Sequence, residues 1–222
     1  AGLVSLGAAF LLDKKYELTS DLYPVNVCYN VVLAVERNAR TLDYEETSKD
    51  FTFNAAATHP AEDREIYVLV VGETSRALNW SLYGYDRETN PKLSEVSGLT
   101  AFTNVLTQSN TTHKSVPMLM SAVSAENFDS IYHQKGIITA FKEAGFKTAF
   151  FSNQRYNNSF IDFFGKEADH YDFIKEDSLT AGHNLSDDYL LALVQEELAK
   201  GNRKQFIVLH TYGSHFNYRE RY

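Results

Sequence analysis

Cysteine is almost missing from this 222-residue chain, with Cys28 the single copy. An internal disulfide is therefore excluded, and so is a cysteine-rich metal centre. The lack of disulfides does not place the protein inside the cell, because many exported proteins have none. Basic residues are also in deficit. Lys and Arg number 21 against 29 Asp and Glu, for a formal net charge of −8. No basic stripe runs along the chain, which argues against nucleic acid as a partner. No apolar run reaches the roughly 20 residues needed to cross a bilayer. Four motifs are absent as well: G-x-x-x-x-G-K, G-x-G-x-x-G, G-x-S-x-G and H-E-x-x-H. Nucleotide cradles, the α/β-hydrolase serine elbow and the common zinc-protease helix lose their main support.

What is present suits a packed domain. Hydrophobic residues make up 44% of the chain, including 15 Phe and 14 Tyr, enough for one domain with a sizeable core and an extra segment. The first residues, "AGLVSLGAAFLLDKK", form an apolar stretch from Ala1 to Leu12 with Ser5 its only polar member. Two readings stand for it: the end of a transmembrane helix with Asp13-Lys14-Lys15 at the interface, or the start of an amphipathic or buried helix. Pro24 to Arg40 carries Val25, Cys28, Val32 and Val35 at helical spacing, with Pro24 suited to a helix start. Residues 41–65 are polar and aperiodic and read as a linker.

From Glu65 onward, strand and helix signals alternate. The strand candidates are Ile66–Val71, Ala101–Leu106, Thr148–Ser152, His170–Ile174 and Gln205–Thr211. The helix candidates are Asn90–Val96, Thr112–Ser121, Gly136–Ala144, Ser159–Phe164 and Asp187–Lys200. This order predicts an α/β domain with a largely parallel sheet flanked by helices. Parallel sheets collect ligands at the carboxyl ends of their strands, and four strand candidates here end in polar clusters. "EIYVLVVGET" delivers Glu73 and Thr74; "LTQSNTTHKSVPMLMS" delivers Thr111 and Thr112 at a helix start. "SNQRYNNSF" delivers Arg155, Asn157 and Asn158, and "HTYGSHF" delivers His210 and His215. Each has an ordinary explanation: a first-turn carboxylate, a threonine cap, an asparagine turn, a structural histidine. Together they would converge on one edge of the sheet. A threonine hydroxyl at a helix N-terminus is a candidate nucleophile where a base or a metal lowers its pKa, and the helix amides favour phosphate.

Three stretches in order, "VLVVGETSRALNWSLYGYDRETNPKL", "TQSNTTHKSVPMLMS" and "LHTYGSHFNYRERY", resemble the phosphoethanolamine transferases of Gram-negative bacteria. Those enzymes belong to the sulfatase and alkaline-phosphatase superfamily. The likeness covers Ile66 to Tyr222. It implies an alkaline-phosphatase/sulfatase-like fold, incomplete at its C-terminus, in residues 65–222. Residues 1–64 would be the end of a membrane segment plus a helical periplasmic linker. It implies an enzyme of the bacterial inner membrane with its catalytic domain in the periplasm, moving phosphoethanolamine from phosphatidylethanolamine to lipid A or another envelope glycan. By the same resemblance Glu73 matches a metal-ligating glutamate. Thr112 matches the nucleophile, which would also touch the metal, because it stands three residues before Ser115-Val116-Pro117; Thr111 is the alternative register. Asn158, or Asn157, matches a substrate-site asparagine, and His215 matches a histidine near the substrate or a second metal. The cofactor implied is zinc, as one or two divalent ions. One departure stands out: the family's lysine four residues after that asparagine is Asp162 here. The family's last metal ligands, an Asp-His pair in a D-H-G-E segment, would lie beyond Tyr222. A glycerol-phosphate transferase, a sulfatase or phosphatase-type hydrolase of the same superfamily, and an inactive fragment lacking those ligands are the alternative readings. The sulfatase is disfavoured because Ser115-Val116-Pro117-Met118-Leu119 lacks the arginine of C/S-x-P-x-R.

Overall fold

A computed structural model describes residues 22–175 and 185–215, and the chain divides into two compact units, Ala1–Asp50 and Phe51–Tyr222. In the first unit, Val25–Leu42 forms helix α1 and Tyr44–Ser48 forms α2. The helical spacing of Val25, Cys28, Val32 and Val35 gives a helix, but all four are exposed and α1 buries none of its residues. The apolar stretch 1–12 lies outside the described residues. Among the described residues no helix is long and apolar enough to cross a membrane.

The second unit begins ahead of the boundary at 64/65 that the sequence suggests, and a single carboxylate accounts for this. Glu143 accepts hydrogen bonds from the Thr52 hydroxyl (2.9 Å) and from the backbone N–H groups of Phe53 (3.0 Å) and Ala55 (2.9 Å). Within the 41–65 stretch, Thr52–Ala55 are thereby tied to Glu143 of the second unit. The same bonds, led by that from Ala55, hold the Glu143 pKa below the usual carboxylate value.

Four parallel strands follow: β1 (Glu65–Val71), β2 (Lys147–Ser152), β3 (His170–Phe173) and β4 (Lys204–His210), in the order β1-β4-β2-β3. Each lies within one residue of its predicted bounds. The central strand β4 is buried at every position, its polar Lys204, Gln205 and His210 included, and its apolar run Phe206–Leu209 suits a parallel sheet covered on both faces. The helices of this unit are α3 (Pro91–Ser94), α4 (Thr112–Leu119), α5 (Ile137–Glu143), α6 (Phe160–Lys166) and α7 (Tyr189–Ala199). On one face of the sheet Ala149, Phe151, Ile207 and Leu209 pack with Leu190 of α7, joined by Leu193, Val194 and Leu198. The i, i+3, i+4 spacing of those α7 residues makes the stripe that fits a sheet; Leu190, fully buried, contributes about 1.5–3 kcal/mol, and the half-buried Leu193, Val194 and Leu198 less. On the other face Phe206 stacks on Phe141 with ring centroids 3.8 Å apart. There α6 presses Gly165 against the Phe150 ring so closely that a Cβ would stand 2.6 Å from it.

The segment Ala101–Leu106 is not a strand. It is irregular, and Phe102, Val105 and Leu106 are exposed. Its β-prone residues satisfy local propensity only. A strand also needs a partner edge, and among the described residues none pairs with it.

The register fixes where chemistry can occur. Val71, His210, Ser152 and Phe173 stand level across the sheet. All four strands therefore release their following loops at one edge.

Candidate active site

Strand β1 ends at Val71, and Gly72 lets the chain turn so that Glu73 comes to lie buried at the sheet edge. The next residue, Thr74, has φ = +51°. That conformation is an outlier for a β-branched residue and costs on the order of 1–3 kcal/mol. Its hydroxyl donates to Glu73 Oε1 at 2.8 Å. The other carboxylate oxygen, Oε2, accepts the hydroxyl of Thr112 at 2.9 Å. These two residues are 39 apart in sequence.

Thr112 is the first residue of α4, and Thr111 precedes it in extended conformation. The two threonines are thus divided by backbone geometry. Thr112 faces Glu73, whereas the Thr111 hydroxyl lies 3.3 Å from the Ser109 hydroxyl. The helix continues into the apolar Val116-Pro117-Met118, which is buried and anchors it. Glu73 lines two cavities. One, of about 490 Å³, is shared with Ser109, Asn110, Thr112, Ser115 and Leu119. The other, of about 720 Å³, is shared with Trp80, Tyr83, Leu93, Thr211 and Ser214.

The wall of the second cavity comes from the segment after β1, whose polar residues prove to be structural. Trp80 Nε1 donates to the Ser75 hydroxyl at 2.7 Å. Thr89 Oγ1 donates to the Asn79 carbonyl (2.8 Å) and accepts the Ser81 N–H (2.9 Å). Asn90 N–H donates to Ser81 Oγ at 3.1 Å, and Pro91 then occupies the first turn of α3, where its missing N–H costs nothing.

The loop after β4 closes on Glu73 from the other side. Thr211 N–H donates to the Val71 carbonyl (3.0 Å) and Ser214 N–H to the Glu73 carbonyl (3.2 Å). Gly213, at φ = +52°, packs so near that a Cβ would lie 2.4 Å from that carbonyl oxygen. His215 follows, its ring stacked on Tyr212 with centroids 5.0 Å apart. His215 is thus carried by a loop that is bonded to the backbone of Glu73.

His210, at the tip of β4, is almost completely buried, 2% exposed. Its Nδ1 pairs with Ser152 Oγ at 3.1 Å. Burial pushes its pKa down to about 4, against the opposing pull of the Glu73 and Asp187 carboxylates. The imidazole is neutral at pH 7.

Asn158 stands apart from this group. It is exposed, at φ = +58°, and lines neither cavity bordering Glu73. Asn157 accepts the Ser159 N–H at 3.1 Å. Asp162, where the family's lysine would stand, is 3% exposed and faces inward. It accepts the N–H groups of Asn157 (2.8 Å) and Ser159 (3.1 Å) and completes a capping box with Ser159 at the start of α6. Burial raises its pKa, with those backbone bonds pulling the other way. It supplies no positive charge to a phosphate.

The chain as a whole has relatives among known proteins. A family model described as Sulfatase matches residues 65–222. The chain belongs to the sulfatase family. It is 30% identical over 171 residues to the phosphoethanolamine transferase CptA of Salmonella typhimurium, covering 74% of this chain and 30% of that protein. Against the phosphoethanolamine transferase OpgE of Escherichia coli the identity is 33% over 156 residues, covering 68% and 29%. Among solved structures, the periplasmic domain of EptC from E. coli, in complex with Zn, superposes with a TM-score of 0.67 at 29% identity, covering 76% of this chain and 50% of that one. The integral membrane lipooligosaccharide phosphoethanolamine transferase A of Neisseria meningitidis gives 0.69 at 26% identity, covering 99% and 42%. The chain spans about a third of the length of the curated relatives it matches. The parallel sheet flanked by helices is the sulfatase-like architecture of those soluble domains.

Zinc, which these likenesses suggest, can be weighed against the donors present. Glu73 Oε2 and Thr112 Oγ1 are oxygen donors side by side on an open cavity wall, a carboxylate and a hydroxyl of the kind a divalent ion accepts. Among the described residues no group of three or more His, Cys, Asp or Glu gathers into a metal-holding cluster. The pair therefore fits part of a coordination shell.

Proposed function

We propose that the chain carries the nucleophile half of a membrane-anchored, periplasmic phosphoethanolamine transferase. The observation that carries this reading is the Thr112 hydroxyl held 2.9 Å from the buried Glu73 carboxylate, at a helix start and on a cavity wall. Glu73 and Thr112 would hold one zinc ion, which would lower the pKa of the hydroxyl and offset phosphoryl charge. The first N–H groups of α4 have no acceptor within the helix and are suited to phosphoryl oxygens. The donor is phosphatidylethanolamine. Thr112 Oγ1 attacks phosphorus, its proton passing to Glu73 Oε2; the P–O bond to diacylglycerol breaks, and the departing diacylglycerol oxygen takes that proton from Glu73. An acceptor hydroxyl on lipid A or another envelope glycan then attacks the same phosphorus, its proton passing to Glu73 Oε2 and from there to Thr112 Oγ1 as the Thr112–phosphorus bond breaks. His215 serves the substrate, carried by the loop that is tied to Glu73.

Mass spectrometry of the full-length protein tests the assignment. Thr112→Ala should remove a phosphoethanolamine adduct that Thr111→Ala retains. An adduct that survives Thr112→Ala would refute the nucleophile.

A further inference from the structure

The geometry points to Asp187 as a positioning residue that holds Glu73 and His215 in place through the loop after β4. This inference rests on the reading of Glu73 and Thr112 given above.

From the sequence Asp187 is an ordinary acidic residue at a helix start. Its side chain does something else. The residue preceding α7 is Asp188, and no side-chain cap bond is made there. Asp187 instead directs its carboxylate away from the helix. Oδ1 accepts the Tyr212 N–H at 2.8 Å and the Asn153 Nδ2 amide at 2.8 Å, and Oδ2 accepts the Gly213 N–H at 3.0 Å. Charge-assisted bonds from two successive backbone amides to the two oxygens of one carboxylate fix the loop in direction as well as position. Asn153 is fully buried and donates its own N–H to the His210 carbonyl at 2.9 Å. One carboxylate thus joins the exits of β2 and β4.

The loop passes that order on to β1. Gly213, held by Oδ2, lies against the Glu73 carbonyl, and Ser214 N–H donates to it. His215 stacks on Tyr212, the residue held by Oδ1. Glu73 must keep one oxygen on Thr112 while the next residue sits at φ = +51°. A strained turn stays in place only when its surroundings over-determine it. Asp187 provides that constraint without touching the reacting atoms. Groups that orient the ligands of a metal typically change its affinity by about 10–100-fold when removed.

The test uses purified full-length protein and zinc alone, titrated in competition with a chromophoric chelator and read beside thermal unfolding. Asp187→Ala should weaken zinc binding by about 10–100-fold and slow formation of the Thr112 adduct to a similar degree. Asp187→Asn keeps one carbonyl oxygen but loses the acceptor for the second amide, so its affinity should fall between the wild type and the alanine variant. It also carries the test if the alanine variant does not fold. The exposed neighbour changed by Asp188→Ala should bind zinc as the wild type does. A lowered melting temperature with unchanged zinc affinity in both Asp187 variants would overturn the inference and leave Asp187 a structural residue. Glu73→Ala separates the two levels of the argument. If it abolishes zinc binding while the Asp187 variants do not weaken it, only this inference fails. If it leaves zinc binding intact, the reading of the site fails and this inference with it.

Discussion

Gly213→Ala is the sharpest single perturbation of the site that leaves every charged and reactive group in place. Two costs can be worked out. The residue sits at φ = +52°, where an L-residue pays about 1–2 kcal/mol relative to glycine. The added Cβ would also meet the Glu73 carbonyl oxygen at 2.4 Å and the carbonyl carbon at 3.1 Å, so the loop must retreat by roughly 1 Å to reach ordinary contact. Retreat is resisted on both sides. Asp187 holds the Tyr212 and Gly213 amides, and Ser214 donates to Glu73. Overpacking against a fixed backbone costs about 1–3 kcal/mol. The expected loss is therefore about 2–5 kcal/mol, read as a lower urea midpoint at constant slope. Zinc affinity should fall with it, because Glu73 is displaced from Thr112. A loss below about 1 kcal/mol, or full stability loss with unaltered zinc affinity, would refute the claim that this contact sets the position of Glu73.

His210 sets a pH dependence. Its folded pKa of about 4 lies below the ordinary 6.5, so its stabilising contribution is complete above about pH 6.5 and is lost as the unfolded chain takes up a proton between there and pH 4. Urea unfolding at pH 7 and pH 5 should differ by about 2 kcal/mol from this group, and His210→Gln should remove that share; an unchanged slope would count against a neutral buried imidazole. Asp162→Lys, which puts in the lysine that the family resemblance implies, should destabilise by about 3–5 kcal/mol, because it puts a cation at a 3% exposed position and takes away the acceptor for the Asn157 and Ser159 amides. A stable variant with improved transfer activity would show that the carboxylate there is not structural.

Much of this architecture was legible before any coordinates. The runs that became β1, β2 and β4 are short, apolar and bounded by polar residues, and burial on both faces leaves a sequence few other readings. Ala101–Leu106 has the same local character and is no strand, because pairing is a property of two segments and the sequence displays only one. Glu73 and Thr112 were visible as strand-end and helix-start residues, and their family likeness joined them across 39 positions; their shared hydrogen bond was not visible. Asp162 is the instructive miss. Ser159-x-x-Asp162 is a capping-box pattern, so its structural role could have been read directly. Asp187 had no such signal, since an aspartate before a helix is usually a cap and only the position of Tyr212 and Gly213 shows otherwise.

The division of labour in the site follows from how stiff each part is. The register brings Val71, His210, Ser152 and Phe173 level, so the sheet supplies a fixed edge at no local cost. Beyond that edge the chain must place one carboxylate against one hydroxyl, and it does so in a conformation that Thr74 disfavours. The compensation comes from outside β1: the loop after β4 bonds to Val71 and Glu73, and Asp187 bonds to that loop. Glu73 is thus held by its own strand on one side and, on the other, by the loop after β4 and by Asp187 in the segment that leads into α7. Replacing Asp187, two residues before α7, should therefore reach the chemistry at β1, although the two are far apart in sequence. A site assembled from one strand alone would lack that dependence, and its carboxylate would be free to follow the relaxed turn that Thr74 prefers.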